Sequence, residues 1–351
     1  MPIYSYSRVN TFFTCPAQFQ FRYIEKRPSP VAEGIELFLG SRFHETMEFL
    51  YHQIPKRIPT VNELMEFFKN HWENHWQQAL QKQKDRNFAE PLRIVNEAQT
   101  LEDYFQKGQL FVENYYHQYH PFDQDQTEGI ELRVAFDLDS KGQYKMQGFI
   151  DRLGRDEEGT LWIHDYKTSS RKMSEEDVKT EDQLALYQIG LLQNPKYGAK
   201  EKIKLIWHFV AFEKDQVVGE RNSKEIAWLK EKYISKIQTI EKAKSYPTKP
   251  GVLCQWCEYL TVCSDGKAAV ESRKKKAETR EADRPVIAAS KAAPKELTEN
   301  PAPVLPSGRP VEAPLMEKPA APIISMASAE KPKRKRSSFA SVSPDQLSLF
   351  N

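Results

Sequence analysis

A mixed α/β fold is what the sequence predicts: a core sheet flanked by helices, with a helical N-terminal region and a disordered C-terminal tail. Three observations carry it. Apolar residues recur at helical spacing through most of residues 7–119. Period-two alternation takes over at Ile130–Leu138 and again across Gln147–Lys167, as strands with one buried face require. Beyond Gly266 the composition changes, because residues 267–351 hold 11 of the 22 prolines, two phenylalanines and no Trp or Tyr. That is too little apolar surface to offset chain entropy.

Ser7 is placed to cap a short first helix, which Cys15-Pro16 interrupts before Ala17–Ile24 resumes helical spacing. Gly34–Gln53 reads as an amphipathic helix with Leu37, Gly40, Phe43, Met47 and Leu50 on one side and His44 beside that stripe. Two longer helical patterns, Val61–Lys84 and Leu92–Tyr119, form an insertion over about residues 60–120, and their aromatics read as core. In the strand at Ile130–Leu138, alternation puts Ile130, Leu132, Val134 and Phe136 on one face and leaves Glu131 solvated on the other. A β-hairpin over Gln147–Lys167, a helix from Ser174 to about Gln193, an apolar strand at Ile203–Phe212 and a helix over Ser223–Lys244 complete a folded region of residues 1–266.

The chain carries a net charge of +2; residues 267–351 hold 16 Lys/Arg against 10 Asp/Glu, which leaves −4 over residues 1–266. A nucleic acid bound there is held by a local groove and metal, since the overall field does not attract it. No apolar run reaches the roughly 20 residues of a membrane span, and Met-Pro-Ile-Tyr-Ser-Tyr-Ser is not a signal peptide. A cytoplasmic protein with no membrane partner is expected.

The hairpin carries the chemistry. On its second arm Leu161, Ile163, Asp165 and Lys167 share a face, and the polar turn at 152–159 returns the first arm so that Asp151 lies beside Asp165. Two carboxylates and an ammonium then converge. Carboxylate oxygens suit a hard cation such as Mg²⁺, and a metal beside a lysine can activate water and stabilise a phosphorane-like transition state. Phosphodiester hydrolysis is the reaction this favours, although Asp-x-Lys alone is also a common solvated ion-pair pattern.

Four cysteines are present, Cys15 and the C-x₂-C-x₅-C of Cys254, Cys257 and Cys263. Without an export signal they point to metal rather than to disulfides. Zn²⁺ and a [4Fe–4S] cluster are the two candidates; zinc ribbons supply close pairs of ligands, so the split of one against three favours the cluster. Such a staple closes a loop worth about 5 kcal/mol by the chain-entropy account of cross-links.

Together these residues resemble the RecB-like branch of the PD-(D/E)XK nuclease superfamily, in its iron–sulfur exonucleases typified by the AddB nuclease domain and the CRISPR-associated RecB-like exonucleases. The similarity spans about Tyr4–Cys263. It rests on Tyr6-Ser7 to Cys15-Pro16, Gly40 to His44, Gly148 to Asp151, Asp165-Tyr166-Lys167, Gln183-x₃-Tyr187 and the cysteine triplet. The resemblance implies a restriction-endonuclease-like core sheet and a preference for single-stranded DNA ends. It makes His44, Asp151, Asp165 and the Tyr166 carbonyl ligands of Mg²⁺ or Mn²⁺, with Lys167 orienting or deprotonating the attacking water. Gln183 and Tyr187 would shape the site and contact the DNA strand, and Cys15, Cys254, Cys257 and Cys263 would hold the [4Fe–4S] cluster. No G-x-x-x-x-G-K-[ST] loop is present, so the chain is not the helicase-bearing member of such a complex.

The last residues, Gln346-Leu347-Ser348-Leu349-Phe350-Asn351, look like the peptide by which bacterial repair and replication proteins dock on the sliding clamp. Gln346 offers hydrogen bonds, and Leu347, Leu349 and Phe350 offer apolar anchors. The linker at 267–345 would span on the order of 50 Å, and the Lys331–Arg336 run could add weak phosphate contact. The expected function is a metal-dependent exonuclease acting in DNA repair, recombination or replication. Alternatives are a CRISPR-adaptation nuclease that trims prespacers and a non-catalytic DNA-binding scaffold of the same fold.

Overall fold

The computed structural model describes residues 2–198, 202–213 and 215–282. Strand β1 (Ile3–Ser5) leads into α1 (Tyr6–Thr14), α2 (Pro16–Phe19) and a π-helical turn, Gln20–Ile24. The cap of α1 is Ser5, whose hydroxyl accepts from the Arg8 backbone N–H at 3.1 Å, and Ser7 is buried inside the helix. A serine two residues upstream gives the same signal, and only Ser5 has the extended backbone a cap needs. There follow α3 (Ile35–Gln53), α4 (Val61–Arg86), α5 (Leu101–Tyr119), β2 (Gln126–Asp137), β3 (Lys145–Arg155) and β4 (Leu161–Lys167). The rest of the unit is α6 (Glu175–Thr180), α7 (Gln183–Gln193), β5 (Ile203–Phe209), β6 (Gln216–Gly219), α8 (Ser223–Lys242) and α9 (Ser264–Ala282), with two 3₁₀ turns carrying the cysteine triplet between α8 and α9.

Strand β3 is the spine of a mixed sheet. Along one edge β2 pairs with it antiparallel over nearly its whole length. Along the other edge β1 pairs parallel with Lys145–Gln147, and β4 pairs antiparallel with Arg152–Arg155. Among the described residues, Gly148–Asp151 therefore has no strand neighbour on that edge. Strand β4 continues beyond its last β3 partner by pairing parallel with β5, which pairs antiparallel with β6.

Two cores lie against this sheet. The larger joins β2–β5 to α1, α7 and α8 through residues such as Ile163, Leu186, Trp207 and Tyr233, all essentially inaccessible. The second is built by α3, α4 and α5 around Phe38, Phe43, Leu50, Phe68 and Val112, and reaches the sheet through Tyr166 and Val210. In α3 the buried stripe includes Phe38 and Leu39, while Leu37 is only half-buried.

Further expectations are corrected, among them the single helix from Ser174 to about Gln193, which is broken into α6 and α7. Helix α5 begins at Leu101, where Thr100 and Asp103 form a reciprocal capping box; the segment before it pairs Arg93 with Gly34 instead. Residues 267–282 belong to α9, not to a disordered linker, because Ala, Glu, Lys and Arg are strong helix formers even where nothing apolar is buried. Finally, Ile130 packs on the α3–α5 core while Leu132, Val134 and Phe136 belong to the other. The reason is Glu131, whose φ of 47° interrupts the alternation of β2. The remainder of the linker and the Gln346–Asn351 peptide lie outside the described residues.

Candidate active site

Where β4 parts from β3, the ladder ends at Arg152 and His164. The next backbone N–H, on Tyr166, donates instead to the Asp151 carboxylate at 2.9 Å. A side chain thus replaces a missing strand neighbour and aims Asp151 at the gap. Asp165 and Lys167 project from the same face of β4 as buried Leu161 and Ile163, as period two dictates. The Lys167 ammonium lies 2.8 Å from Asp165 Oδ2.

From the other side, α3 delivers His44. Its Nε2 is 2.9 Å from the Tyr166 carbonyl oxygen and its Nδ1 3.5 Å from Asp151 Oδ2. Helix α7 delivers Gln183 and Tyr187 one turn apart. Lys167 donates to Gln183 Oε1 at 3.3 Å, and Gln183 Nε2 reaches Asp165 Oδ1 at 3.4 Å and the Tyr187 hydroxyl at 3.3 Å. The Tyr187 ring lies over Gly148, where an added Cβ would meet Cε1 at 2.1 Å; only glycine admits this approach. Gly148, Asp151, Asp165, Tyr166, Lys167, Gln183, Tyr187 and His44 are all brought together.

One member was missed. Glu131, expected in solvent, is half-buried, and its carboxylate lies with His44 and Asp151 so that their ligand atoms are within 4.8 Å of one another. Its left-handed backbone turns the side chain out of the strand's regular alternation. No periodicity argument finds such a residue, since periodicity assumes the conformation that Glu131 departs from.

The electrostatics are those of crowded, desolvated acids. Burial, with the Asp165 carboxylate adding to it, pushes Asp151 up to about 6 against the pull of His44. Burial alone would lower the Lys167 ammonium, but Asp165 beside it outweighs that and holds it above its ordinary value. Glu48 and Glu181, flanking the site, are each pushed up to about 7, chiefly by burial. Asp165 Oδ2 is buried against the Lys167 ammonium at 2.8 Å. Acids that are destabilised as anions fit a divalent cation, which would share their charge. His44, Glu131, Asp151, Asp165 and the Tyr166 carbonyl could hold it.

The two segments that carry the four cysteines are held against each other, with Cys15 and Cys254 close to Cys257. Residues 13–27 and 247–266 are tied by Arg22 to Glu258, by Gln18 Nε2 to Glu258 at 3.1 Å, by Tyr259 Oη to the Arg27 carbonyl at 2.8 Å and by Lys249 Nζ to the Phe13 carbonyl at 2.9 Å. Backbone N–H groups of Gly251 and Gly266 donate to Cys254 Sγ and Cys263 Sγ, each at 3.3 Å. Burial pushes the Cys257 thiol up to about 12, and Glu258, Cys15 and Cys254 push the same way.

Among the described residues no helix is long and apolar enough to cross a membrane. No curated protein matches the chain. The sequence profile of the PD-(D/E)XK nuclease superfamily matches residues 3–264, which takes in the whole sheet, the Asp151/Asp165/Lys167 group and all four cysteines. The chain belongs to the PD-(D/E)XK nuclease superfamily.

Proposed function

We propose that this chain is a metal-dependent exonuclease that hydrolyses DNA from single-stranded ends, with a [4Fe–4S] staple and a tail that docks on a sliding clamp. Superfamily membership implies metal-dependent nuclease chemistry. The observation that carries the nuclease reading is the gathering of His44, Glu131 and Asp151, with Asp165 beside Asp151 and paired to Lys167.

Those groups would hold Mg²⁺ or Mn²⁺, which would supply Lewis acidity at the scissile phosphate and toward the attacking water. Lys167, kept protonated by Asp165, orients the attacking water and meets the negative charge that develops on the phosphoryl oxygens. Gln183 fixes the Lys167 ammonium, and the Tyr187 hydroxyl, accepting from Gln183 Nε2, fixes Gln183. His44 takes its orientation from Asp151 and the Tyr166 carbonyl. The N–H groups that donate to Cys254 and Cys263 are what thiolates bound to a cluster require. Burial, with Glu258, Cys15 and Cys254 adding to it, disfavours a bare Cys257 thiolate, which a bound metal centre would stabilise.

The test is cleavage of end-labelled single-stranded DNA by anaerobically purified protein with Mg²⁺ or Mn²⁺, comparing wild type with Lys167→Ala and recording the visible spectrum of each. Cleavage that needs metal and Lys167, from protein with cluster absorption, is the expected result. Colourless protein carrying zinc replaces the cluster, and a cluster-loaded but inactive wild type makes the chain a DNA-binding scaffold. Removal of residues 346–351 should abolish binding to the clamp while leaving cleavage of free oligonucleotides unchanged.

A further inference from the structure

Outside the site just described, helices α3 and α4 bring Glu45, His71 and His75 together so that one ligand atom from each lies within 4.8 Å of the others. His71 and His75 stand at i and i+4 on one face of α4. His71 Nδ1 is 3.1 Å from Glu45 Oε2, and His75 Nε2 is 3.8 Å from Glu45 Oε1. Ligands held about 2.1 Å from a shared tetrahedral ion are about 3.4 Å apart, and the two distances bracket that value.

A hydrogen bond accounts for only one of these approaches. At 3.8 Å the His75 nitrogen is too far from Glu45 to be bonded to it, yet it is aimed there. Arg42 donates to both Glu45 oxygens, at 2.8 and 2.6 Å. This fork takes one lone pair on each oxygen and leaves the others for further partners. It also holds the carboxylate rigidly, as an ion-binding group should be held. The Phe67 ring, stacked on His71 with centroids 4.0 Å apart, fixes that imidazole.

We propose that Glu45, His71 and His75 form a second metal site, for a borderline divalent transition ion of the Zn²⁺, Co²⁺ or Ni²⁺ class. Two imidazoles and one carboxylate select such ions over Mg²⁺, whereas the carboxylate-rich group at Asp151 selects the reverse. The His71 and His75 side chains are 36% and 32% exposed, so the ion exchanges with solvent and keeps open coordination positions. Its effect is to cross-link α4 to the helix that carries His44, one residue from Glu45. The site stands on its own ligands and does not depend on the exonuclease reading.

The test is titration of the full-length, anaerobically purified protein with Zn²⁺ against a chromophoric competitor, comparing wild type with a His71→Gln/His75→Gln double variant. The expected result is one equivalent of Zn²⁺ lost from the variant, or its affinity reduced at least 100-fold, with unfolding temperature in the metal-free state unchanged. Equal stoichiometry and affinity overturn the proposal. Should the variant fold poorly, diethylpyrocarbonate modification of the unaltered chain decides. Zn²⁺ but not Mg²⁺ must protect His71 and His75, and imidazoles that stay reactive in Zn²⁺ overturn the site.

Discussion

Gly148→Ala is the most incisive perturbation of the site, because it adds one methyl group and alters none of the charged side chains. The new Cβ would stand 2.1 Å from Tyr187 Cε1, 2.7 Å from Cζ and 2.9 Å from Cδ1, against an ordinary contact of at least 3.4 Å. The ring must therefore retreat by about 1.3 Å or more, and Tyr187 is buried with little space to retreat into. Its hydroxyl then moves away from Gln183 Nε2, now 3.3 Å distant, and Gln183 loses the support that holds it against Lys167 and Asp165. Overpacking of this kind costs about 1–3 kcal/mol, and misplacing catalytic groups by about 1 Å costs on the order of 100-fold in rate. Steady-state cleavage of end-labelled single-stranded DNA should show the loss in kcat, with KM changed much less, and thermal unfolding should show the lower stability. A Gly148→Ala/Tyr187→Leu double variant removes the clash, so it should regain stability without regaining rate. Wild-type kcat together with a wild-type unfolding curve in Gly148→Ala would refute the reasoning outright.

Glu131→Gln keeps size but removes the charge beside His44 and Asp151; the metal concentration for half-maximal cleavage should rise at least tenfold, and an unchanged requirement removes Glu131 from the ion site. Acid sensitivity follows from His164, whose imidazole burial and the neighbouring Arg152 lower to about 3. The unfolded chain takes up its proton near pH 6.5 and the folded chain only near 3, so stability is complete above pH 6.5 and falls through that window by up to about 1.4 kcal/mol per pH unit. Urea midpoints at pH 7, 6, 5 and 4 should show this slope, and His164→Gln should flatten it. Gly108→Ala improves helix propensity in α5 by about 1 kcal/mol, yet its Cβ would meet Phe68 Cζ at 2.2 Å and Leu39 Cδ1 at 2.7 Å. The variant should unfold on the order of 1 kcal/mol more easily, and a gain in urea midpoint would show that α4 can shift.

Much of the fold was legible because it rests on short-range rules. Alternation alone gave the face shared by Leu161, Ile163, Asp165 and Lys167, and the polar turn gave the return of Asp151. His44 was different: on an amphipathic helix it is one more half-buried imidazole, and only its spacing from Gly40 in a known pattern marked it. Glu131 was illegible for a sharper reason, since the one backbone angle that turns it inward leaves no trace in composition or period. The start of α5 could have been read from Thr100 and Asp103, a capping box that outweighs the apolar residues before it. Within that earlier segment Leu92 and Ile94 pack on the α3–α5 core, while Arg93 serves the cysteine end, with Nη1 donating to the Cys257 carbonyl at 2.9 Å and Nη2 to that of Trp256.

Asp151 and Arg152 are consecutive, and their divergence explains why the site sits where it does. Asp151 turns to the gap left between β1 and β4, while Arg152 turns to the α3–α5 side and is buried with Asp125, His164 and the Tyr51 ring 4.1 Å below its guanidinium. His164 in turn meets His208 at 2.9 Å, and His208 meets Tyr119 and Asp215. Arg152 is paired with Asp125, and Asp215 accepts from Tyr119 and Gln118 beside His208, so removing one member would leave a buried partner uncompensated. The network therefore fixes β2, β3, β4, β5 and α5 against one another directly behind the carboxylates. A metal site needs ligands that cannot drift apart under their own repulsion. Here the repelling acids stand on strands that the buried network ties together, so the sheet keeps Glu131, Asp151 and Asp165 gathered.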